Sequence, residues 1–337
     1  MKRIQQLQEQ LSLWDVDGCL VENPIDLFYL TGLTLSTGSL LVCTDSVCLF
    51  VDGRYKAMVQ ETGVVPYGDI LELDRHLKNK KIAFDSSTTV YQRFVKLEKT
   101  DCALKAIPGL TKELRVIKDS QEIAILKKSG KLALSGIEYV ATLLKPGVTE
   151  KELAREFELF CLEGGASGLS FPPIIAFGSN SALPHYRSGN RVLQEGDIVL
   201  IDAGAILNNY CSDLTRMVFF GKEDPQLKKM YDSIREAHKA ALSCCRPGTP
   251  LRVLDETARK SIEDAGLGEL IVHGLGHGVG LEVHEFPSVN MKGDDKDVLL
   301  RAGMVITIEP GLYLPGKGGV RYEDTIIITD NGYEFAL

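Results

Sequence analysis

Hydrophobic and polar positions follow two different patterns along the chain, and the change falls near residue 115. Before it, short apolar runs such as 40–43 and 47–51 are separated by turn residues. This pattern predicts β-hairpins, with a helix near each end of the segment. After it, Asp119 and Glu122 form a capping-box pattern that opens a long run of apolar residues at helical spacing. The two halves of the chain therefore differ in structural type.

A chain of 337 residues is about twice the length of a typical domain, so both patterns can form separate domains. We expect a smaller domain over residues 1–115 and a larger one over 116–337. Charged residues make up 25% and apolar residues 44%, which excludes disordered and collagen-like chains. The polar start of the sequence, and the lack of an apolar run of about 18 residues, predict a cytoplasmic protein.

Charge and cysteine usage narrow the classes of partner. Acidic residues exceed basic ones by 46 to 38, a formal net charge of -8. This balance disfavours attraction to phosphate backbones and anionic lipids, so we expect neither nucleic acid nor membrane as a partner. Eight cysteines without a CxxC pair predict neither a zinc ribbon nor a thioredoxin-like motif.

The larger segment carries the same plan twice. In the first copy, Pro146-Gly147 separates two helical patterns, and Thr149 with Glu152 caps the second one. In the second copy, Pro247-Gly248 separates two further helical patterns. Strand patterns follow each pair and end in a hairpin with two acidic residues. We therefore expect an α+β fold of two αα-ββ halves related by a pseudo-two-fold axis.

The first hairpin places two carboxylates on a strand pair with buried character. The apolar run 198–201 leads to Asp202, and Asp213 enters the return strand. If the turn is centred between Leu207 and Asn208, the two acids are cross-strand partners with Cβ atoms roughly 5 Å apart. A one-step shift in the centring of the turn still leaves them on the same face. Buried carboxylates this close repel each other unless they share a proton or a cation.

The second hairpin repeats this arrangement. Glu309 follows the apolar run 305–308, and Glu323 stands before the return strand. If the halves pack about a pseudo-two-fold axis, these two acids converge with Asp202 and Asp213. Four carboxylates with at least one imidazole and no thiolate suit two divalent ions. Two such ions can activate water and stabilise an attacked carbonyl, so the pattern predicts hydrolysis.

Histidine and glycine residues concentrate in the same part of the sequence. Four of the six histidines lie near the acidic hairpins: His185, His273, His277 and His284. Residues 274–280 include four glycines, which disfavours a helix and allows the backbone to bend and approach a ligand. The spacing lacks the GxGxxG step, so we do not expect a dinucleotide site. We expect His76 and His238 at the surface.

Six segments around these residues carry a family resemblance: PHYRSG (184–189), VLIDAGA (199–205), YCSDLTR (210–216), HGLGHGVGLEVHE (273–285), TIEPGLY (307–313) and RYEDTII (321–327). They resemble the pita-bread metallopeptidases, and within them the aminopeptidase P and prolidase branch. LVENPIDLFYLTGLT and FVDGRY also resemble the creatinase-like N-terminal domain of that branch. The resemblance covers the whole chain and implies a pita-bread fold preceded by a smaller α/β creatinase-like domain.

The resemblance implies a metal centre with five protein ligands. Asp202 would hold one ion, and Asp213 and Glu323 would bridge both. His277 and Glu309 would complete the second. The implied cofactor is a pair of divalent ions, for which we expect Mn²⁺, with Co²⁺, Fe²⁺ or Zn²⁺ as alternatives.

The resemblance also implies catalytic and substrate-binding residues. The catalytic set is His185, His284, Glu309 and Arg321. The substrate-binding set is His185, His273, His284, Tyr313 and Arg321. His284 would stabilise the tetrahedral intermediate, and Glu309 or the bridging carboxylates would manage the proton. A purely supporting role stays open for His273, Tyr313 and Arg321.

Two departures from related enzymes guide the choice within the family. Asp324 follows Glu323 where methionine aminopeptidases usually have histidine, which favours the Xaa-Pro branch. Ser288 stands where some prolidases place an arginine for the dipeptide carboxylate, which slightly favours longer peptides. We therefore expect a dinuclear Xaa-Pro aminopeptidase that uses a bridging hydroxide on short peptides with proline second. The alternatives are an Xaa-Pro dipeptidase with the same mechanism and a non-catalytic peptide-binding protein on the same fold. The family resemblance also implies a homodimer.

Overall fold

The computed structural model describes residues 2–337. These residues divide into two compact units, with the division between Arg115 and Val116. None of the helices within residues 2–337 has the length and apolar character needed to cross a bilayer.

The first unit is built on a six-stranded mixed sheet. Its helices are α1 Lys2–Leu13, α2 Pro24–Thr31, α3 Lys56–Thr62, α4 Leu73–Leu77, α5 Tyr91–Leu97 and α6 Lys112–Arg115. Its strands are β1 Gly18–Val21, β2 Ser39–Cys43, β3 Val47–Val51, β4 Tyr67–Asp69, β5 Lys81–Asp85 and β6 Ala103–Ile107, in the sheet order β4-β3-β2-β1-β5-β6. β2 and β3 pair antiparallel, so the predicted hairpin is confirmed. β1 and β2 are buried throughout, as their unbroken apolar runs require.

The second unit repeats two helices followed by strands. Its helices are α7 Ser120–Thr142, α8 Glu150–Glu163, α9 Pro225–Ser243 and α10 Leu251–Asp264. The strands after α8 are β7 Gly168–Leu169, β8 Ile174–Phe177, β9 Ile198–Ala203, β10 Ala205–Leu207, β11 Tyr210–Cys211 and β12 Leu214–Phe219. The strands after α10 are β13 Gly276–Gly278, β14 Glu285–Val289, β15 Val305–Ile308, β16 Gly311–Leu314, β17 Gly318–Arg321, β18 Asp324–Ile328 and β19 Tyr333–Phe335. The predicted α+β duplication is confirmed by this element order.

Local capping determines where the helices of the second unit begin. The side chain of Asp119 accepts hydrogen bonds from the backbone at the start of α7, and the Glu122 side chain accepts one from the Asp119 N–H. Thr149 and Glu152 form the same capping box at α8. Both predicted capping boxes are confirmed, and each satisfies backbone N–H groups that the first turn leaves without partners.

The turn of the first acidic hairpin is centred one residue later than predicted, which moves the cross-strand partner of Asp202 by two residues. β9 pairs with β12 so that Asp202 lies opposite Thr215, not Asp213. The turn residues are Asn208 and Asn209, whose φ angles are 47° and 69°. A two-residue turn with positive φ at both positions matches the twist of a hairpin and favours asparagine. The predicted turn centre, between Leu207 and Asn208, is therefore wrong.

The second acidic hairpin has the predicted register. β15 pairs with β18 so that Ile308 lies opposite Asp324, and the pairing continues in β16 and β17. Glu309 and Glu323 occupy the intervening opposed positions. An isolated bridge joins Thr215 to Glu323, with the Glu323 N–H 3.3 Å from the Thr215 carbonyl oxygen. The acidic hairpins of the two halves therefore meet directly.

The glycines of segment 274–280 allow strands to approach closely. A Cβ added at Gly276 would lie 2.1 Å from the Thr307 carbonyl oxygen, and one at Gly278 would lie 2.5 Å from the Phe286 carbonyl oxygen. Such contacts exclude any side chain at these positions. We expected these glycines to let the backbone approach a ligand. The structure shows a further reason for Gly276 and Gly278, because β13 could not pack on its neighbouring strands if either residue had a side chain.

Gly130 on α7 provides a test of close packing in the second unit. A Cβ there would lie 1.9 Å from the Ala336 carbonyl oxygen. Replacing a helical glycine by alanine ordinarily stabilises a helix by about 1 kcal/mol. We expect Gly130→Ala instead to lower the free energy of unfolding by roughly 1–3 kcal/mol, because backbone must move. Urea unfolding measures this, with Gly168→Ala, which meets no described atom within 4 Å, as the control. Equal stability of the two variants would contradict the packing argument.

Candidate metal centre

The five predicted ligands line one cavity with a volume of about 770 Å³. They are Asp202 on β9, Asp213 just before β12, His277 on β13, Glu309 just after β15 and Glu323 just before β18. Four other predicted site residues line the same cavity: His185, His273, His284 and Arg321. The ends of strands from both halves therefore supply its walls.

Three of the five side chains form the tightest group. Ligand atoms of Asp213, His277 and Glu323 all lie within 4.8 Å of one another. The Nε2 atom of His277 lies 3.7 Å from Asp213 Oδ2 and 3.3 Å from Glu309 Oε1. Its Nδ1 atom lies 3.1 Å from the Gly278 carbonyl oxygen, which can only accept a hydrogen bond. Nδ1 therefore carries a proton, and Nε2 faces the carboxylates. Burial lowers the pKa of His277, but the hydrogen bond and charge of Glu309 outweigh it and raise the pKa overall, so Nε2 can also carry a proton and would offer its lone pair to a metal ion after losing it.

The carboxylates at this centre are buried without enough positive charge around them. Burial raises the pKa of Asp213 well above its usual value, and Glu323, Asp202 and Glu309 raise it further. Burial also raises the pKa of Glu323, again with help from Glu309 and Asp202. Asp202 Oδ1 and Glu323 Oε1 are buried and have no hydrogen-bond partner among residues 2–337. An oxygen-rich, electron-rich site with unsatisfied atoms fits divalent cations.

Arg321 supplies the positive charge nearest to this group. It is 3% exposed and donates from Nη2 to Asp202 Oδ2 and from Nε to Thr215 Oγ1 over 3.1 Å. Thr215 in turn donates to Glu323 Oε2 over 2.7 Å. Arg321 therefore holds Asp202 directly and Glu323 through Thr215. Thr215 was not among the predicted site residues, although it lies opposite Asp202 and two residues after Asp213.

Tyr313 lies behind the cavity wall. It is 3% exposed, and its hydroxyl oxygen accepts from Arg321 Nη1 over 2.6 Å. The same hydroxyl lies 2.9 Å from His273 Nε2 and donates to it, because His273 Nδ1 points at the Gly274 carbonyl oxygen. In this structure Tyr313 therefore contacts Arg321 and His273 and does not line the cavity.

Two histidines face the open part of the cavity. His185 and His284 are both exposed and line it. The His284 ring centre lies 4.2 Å from that of His277. Burial, and then the charge of His277, lower the pKa of His284, which favours its neutral form near neutral pH. A neutral imidazole can donate one hydrogen bond to a substrate oxygen.

A second layer of charged groups lies on the opposite face of β18. Arg216 donates from Nη1 to the Glu323 carbonyl oxygen and from Nη2 to Asp324 Oδ1, each over 2.6 Å. His238 on α9 is 4% exposed and packs against Tyr322, with ring centres 5.0 Å apart. The expectation that His238 lies at the surface is wrong, because its helix face is covered by the strands of the second half.

A buried ion pair anchors the segment that carries His284. Lys118 Nζ lies 2.7 Å from Glu285 Oε1, and the two side chains are 1% and 6% exposed. Glu285 is adjacent to His284 and also lines the cavity. This pair has no local signal in the sequence, because 167 residues separate its members.

Comparison with known proteins agrees with this geometry. Residues 124–330 match the model of metallopeptidase family M24, and residues 3–117 match that of the creatinase/prolidase N-terminal domain. The chain is 34% identical over 339 residues to the Xaa-Pro dipeptidase of Pyrococcus furiosus, covering 98% of this chain and 96% of the relative.

Two solved structures extend the comparison. The prolidase from Pyrococcus horikoshii OT3 superposes with a TM-score of 0.95 at 33% identity, covering 100% of this chain and 98% of that chain. The X-Pro aminopeptidase from Thermotoga maritima MSB8 superposes with a TM-score of 0.88 at 30% identity, covering 97% of each chain. The protein therefore belongs to metallopeptidase family M24. It is a metal-dependent exopeptidase with the pita-bread fold and a creatinase-like N-terminal domain, as its motifs predicted.

Removal of Lys118 tests the buried ion pair. We expect Lys118→Met to lower the free energy of unfolding by about 3–5 kcal/mol, because it removes one partner of a buried charge pair. The double variant Lys118→Met/Glu285→Gln should recover part of this loss. Lys260→Met is the control, since the Lys260–Asp264 pair is 74% and 65% exposed and should contribute less than about 1 kcal/mol. Equal losses for the two lysine variants in urea unfolding would contradict the argument.

The buried His238 predicts a pH dependence of stability. Its Nε2 atom lies 3.4 Å from Asp324 Oδ2, but burial and the charges of Arg235 and Arg216 outweigh this contact and lower its pKa to about 3. In an unfolded chain the pKa is about 6.5. Between these values only the unfolded chain takes up this proton, so falling pH destabilises the fold by up to about 1.4 kcal/mol per pH unit.

The corresponding experiment compares urea unfolding at pH 7 and pH 5. His238→Gln should lose less stability than the wild type over this interval because it lacks the proton site. His76→Gln, at an exposed position, should keep the wild-type slope. The same slope in the His238 variant as in the wild type would refute the assignment.

Proposed function

We propose that this protein is an Xaa-Pro dipeptidase that hydrolyses dipeptides with a C-terminal proline. The main support is a cluster of buried carboxylates with two unpartnered oxygens, facing an open cavity in a family M24 chain. The relatives named Xaa-Pro dipeptidase and prolidase favour this reading over aminopeptidase P, our first expectation. Dimer formation and a cytoplasmic location stay predictions.

The proposed cofactor is a pair of divalent ions. Asp202, Asp213, His277, Glu309 and Glu323 would hold them, and two dications would balance the four carboxylates. When bound, such ions supply Lewis acidity and lower the pKa of water. We propose Mn²⁺ as the ion to test first.

The protein's own groups would orient the substrate and move protons. Burial raises the pKa of Glu309, but the hydrogen bond and charge of His277, with His273 and Arg321, outweigh it and lower the pKa overall. Glu309 is therefore ionised at neutral pH and can accept a proton at a carboxylate oxygen. His284, exposed and favoured in its neutral form, can donate a hydrogen bond to the carbonyl oxygen that gains charge.

The cavity also offers an apolar wall for a proline ring. Five lining residues have apolar or aromatic surfaces: Phe171, Pro172, Ile174, Pro184 and Tyr186. Because proline has no N–H, its nitrogen needs no acceptor in the site. A pyrrolidine ring against this wall is the arrangement that supports proline specificity.

A second candidate is an aminopeptidase that accepts longer peptides. Ser288, which has an uncharged side chain, lines the cavity, and its backbone N–H donates to Asp295 Oδ2 over 2.9 Å. A peptide that continues beyond proline has no carboxylate to place near this acidic group. The similarity to the Thermotoga maritima X-Pro aminopeptidase also keeps this candidate open.

Metal removal and substrate choice test the proposal together. After chelation we expect no turnover, and after Mn²⁺ addition we expect hydrolysis of Ala-Pro, slower hydrolysis of Ala-Pro-Ala and none of Met-Ala. Faster cleavage of Ala-Pro-Ala would favour the aminopeptidase. Failure to cleave either proline peptide with Mn²⁺, Co²⁺, Fe²⁺ or Zn²⁺ would refute both candidates.

A ligand variant tests the assigned centre. Asp213→Asn should lower kcat/KM for Ala-Pro by more than about 100-fold, because loss of even an outer partner costs 10- to 100-fold. Asp232→Asn is the control, since Asp232 is 59% exposed on α9. Similar activity of the two variants would exclude Asp213 from the centre.

A further inference from the structure

A dipeptide substrate imposes a charge requirement on the cavity. Its C-terminal carboxylate lies one residue from the scissile bond, whereas a longer peptide has a neutral amide at that place. The two proposed dications would be balanced by the four carboxylates of the centre, so the centre has no positive charge left for a further anion. A site that prefers dipeptides therefore needs a separate cation for the substrate carboxylate.

Arg321 cannot meet this requirement. Its guanidinium group is 3% exposed and donates to Asp202, Tyr313 and the Thr215 hydroxyl. All three of its nitrogen atoms therefore have protein partners, and its charge is offset by Asp202.

The part of the cavity near Ser288 offers no cation for the substrate carboxylate either. Asp295 lines the cavity there and accepts the hydrogen bond from the Ser288 N–H. A substrate carboxylate placed beside Asp295 would meet a like charge.

Arg187 can supply the cation that the substrate carboxylate needs. It lines the same cavity, is exposed, and its side chain forms no hydrogen bond or ion pair with any residue from 2 to 337. It lies two residues after His185, another residue of the cavity wall. A guanidinium group can bind a carboxylate through two parallel hydrogen bonds.

The segment that carries Arg187 is held firmly on both sides. The Tyr186 hydroxyl donates to Glu150 Oε2 over 2.8 Å, and Glu150 is fully buried. Ser188 Oγ accepts from the Ile175 N–H over 2.8 Å and donates to the Pro173 carbonyl oxygen over 3.0 Å. These contacts fix the backbone of Arg187 while its side chain stays available, which reduces the entropy lost on binding.

We propose that Arg187 binds the C-terminal carboxylate of the substrate and so confers preference for dipeptides. This inference rests on the proposed function and adds a specificity-determining residue to it. It also accounts for a dipeptidase that has serine at position 288.

Paired substrates test the role of Arg187. We expect Arg187→Gln to raise KM for Ala-Pro by roughly 10- to 100-fold, the loss expected for a hydrogen bond to a charged group. KM for Ala-Pro-amide, which lacks the carboxylate, should change less than about 2-fold. Arg187→Lys should recover part of the affinity for Ala-Pro. Arg155→Gln, which removes an exposed arginine on α8 outside the cavity lining, should match the wild type.

Direct binding separates recognition from turnover. Calorimetry with an Ala-Pro analogue, in which a methylene replaces the scissile carbonyl, should show the same 10- to 100-fold loss for Arg187→Gln. The C-terminal amide of this analogue should show no such loss.

The outcomes distinguish this inference from the proposed function. If the wild type fails to cleave Ala-Pro under every metal tested, the proposed function fails. If the wild type cleaves Ala-Pro, but Arg187→Gln affects acid and amide equally or affects neither, the role of Arg187 alone is refuted.

Discussion

The repulsion among three buried carboxylates and the partly buried Glu309 is the constraint on which the structure of this site depends. Asp202, Asp213 and Glu323 are each 7% exposed or less, and their pKa values are raised by burial. Arg321 contributes one positive charge, which it directs at Asp202. Desolvated anions at such distances are costly unless cations accompany them. The requirement for metal is therefore a consequence of how the chain folds.

The duplicated architecture produces this crowding. Each half has its own apolar core, one around α7 and α8 and the other around α9 and α10. The acidic hairpins meet where Thr215 bridges Glu323, so neither half has the complete centre. Arg321, from the second half, reaches Asp202 and Thr215 in the first. The complete set of ligands is therefore present only where the two halves pack against each other.

Much of this arrangement could be predicted from local sequence signals. Capping boxes and Pro-Gly stops gave the helices, and apolar runs ending in acids identified the strands that carry the carboxylates. These signals are short in range and have direct physical causes. Family motifs then supplied the set of candidate ligands, and the structure brings all five to one cavity.

The features that sequence reasoning missed depend on residues distant in the chain. The turn at Asn208-Asn209, where both asparagines adopt positive φ, is centred one residue later than predicted and gives Asp202 a partner two residues further along the chain. Lys118 and Glu285 pair across most of the second unit, and His238 is covered by strands that follow it. Arg187 stands out once the cavity shows that the other arginine in its lining is fully engaged. None of these has a signature at fixed local spacing.

Metal stoichiometry tests the central claim most directly. Equilibrium dialysis of the chelated protein against Mn²⁺, followed by elemental analysis, should give two ions per chain for the wild type. A variant with Asp213→Asn and Glu323→Gln, which lacks both proposed bridging carboxylates, should retain fewer. Equal stoichiometry in the two proteins, or a wild type that binds no ion, would contradict the account.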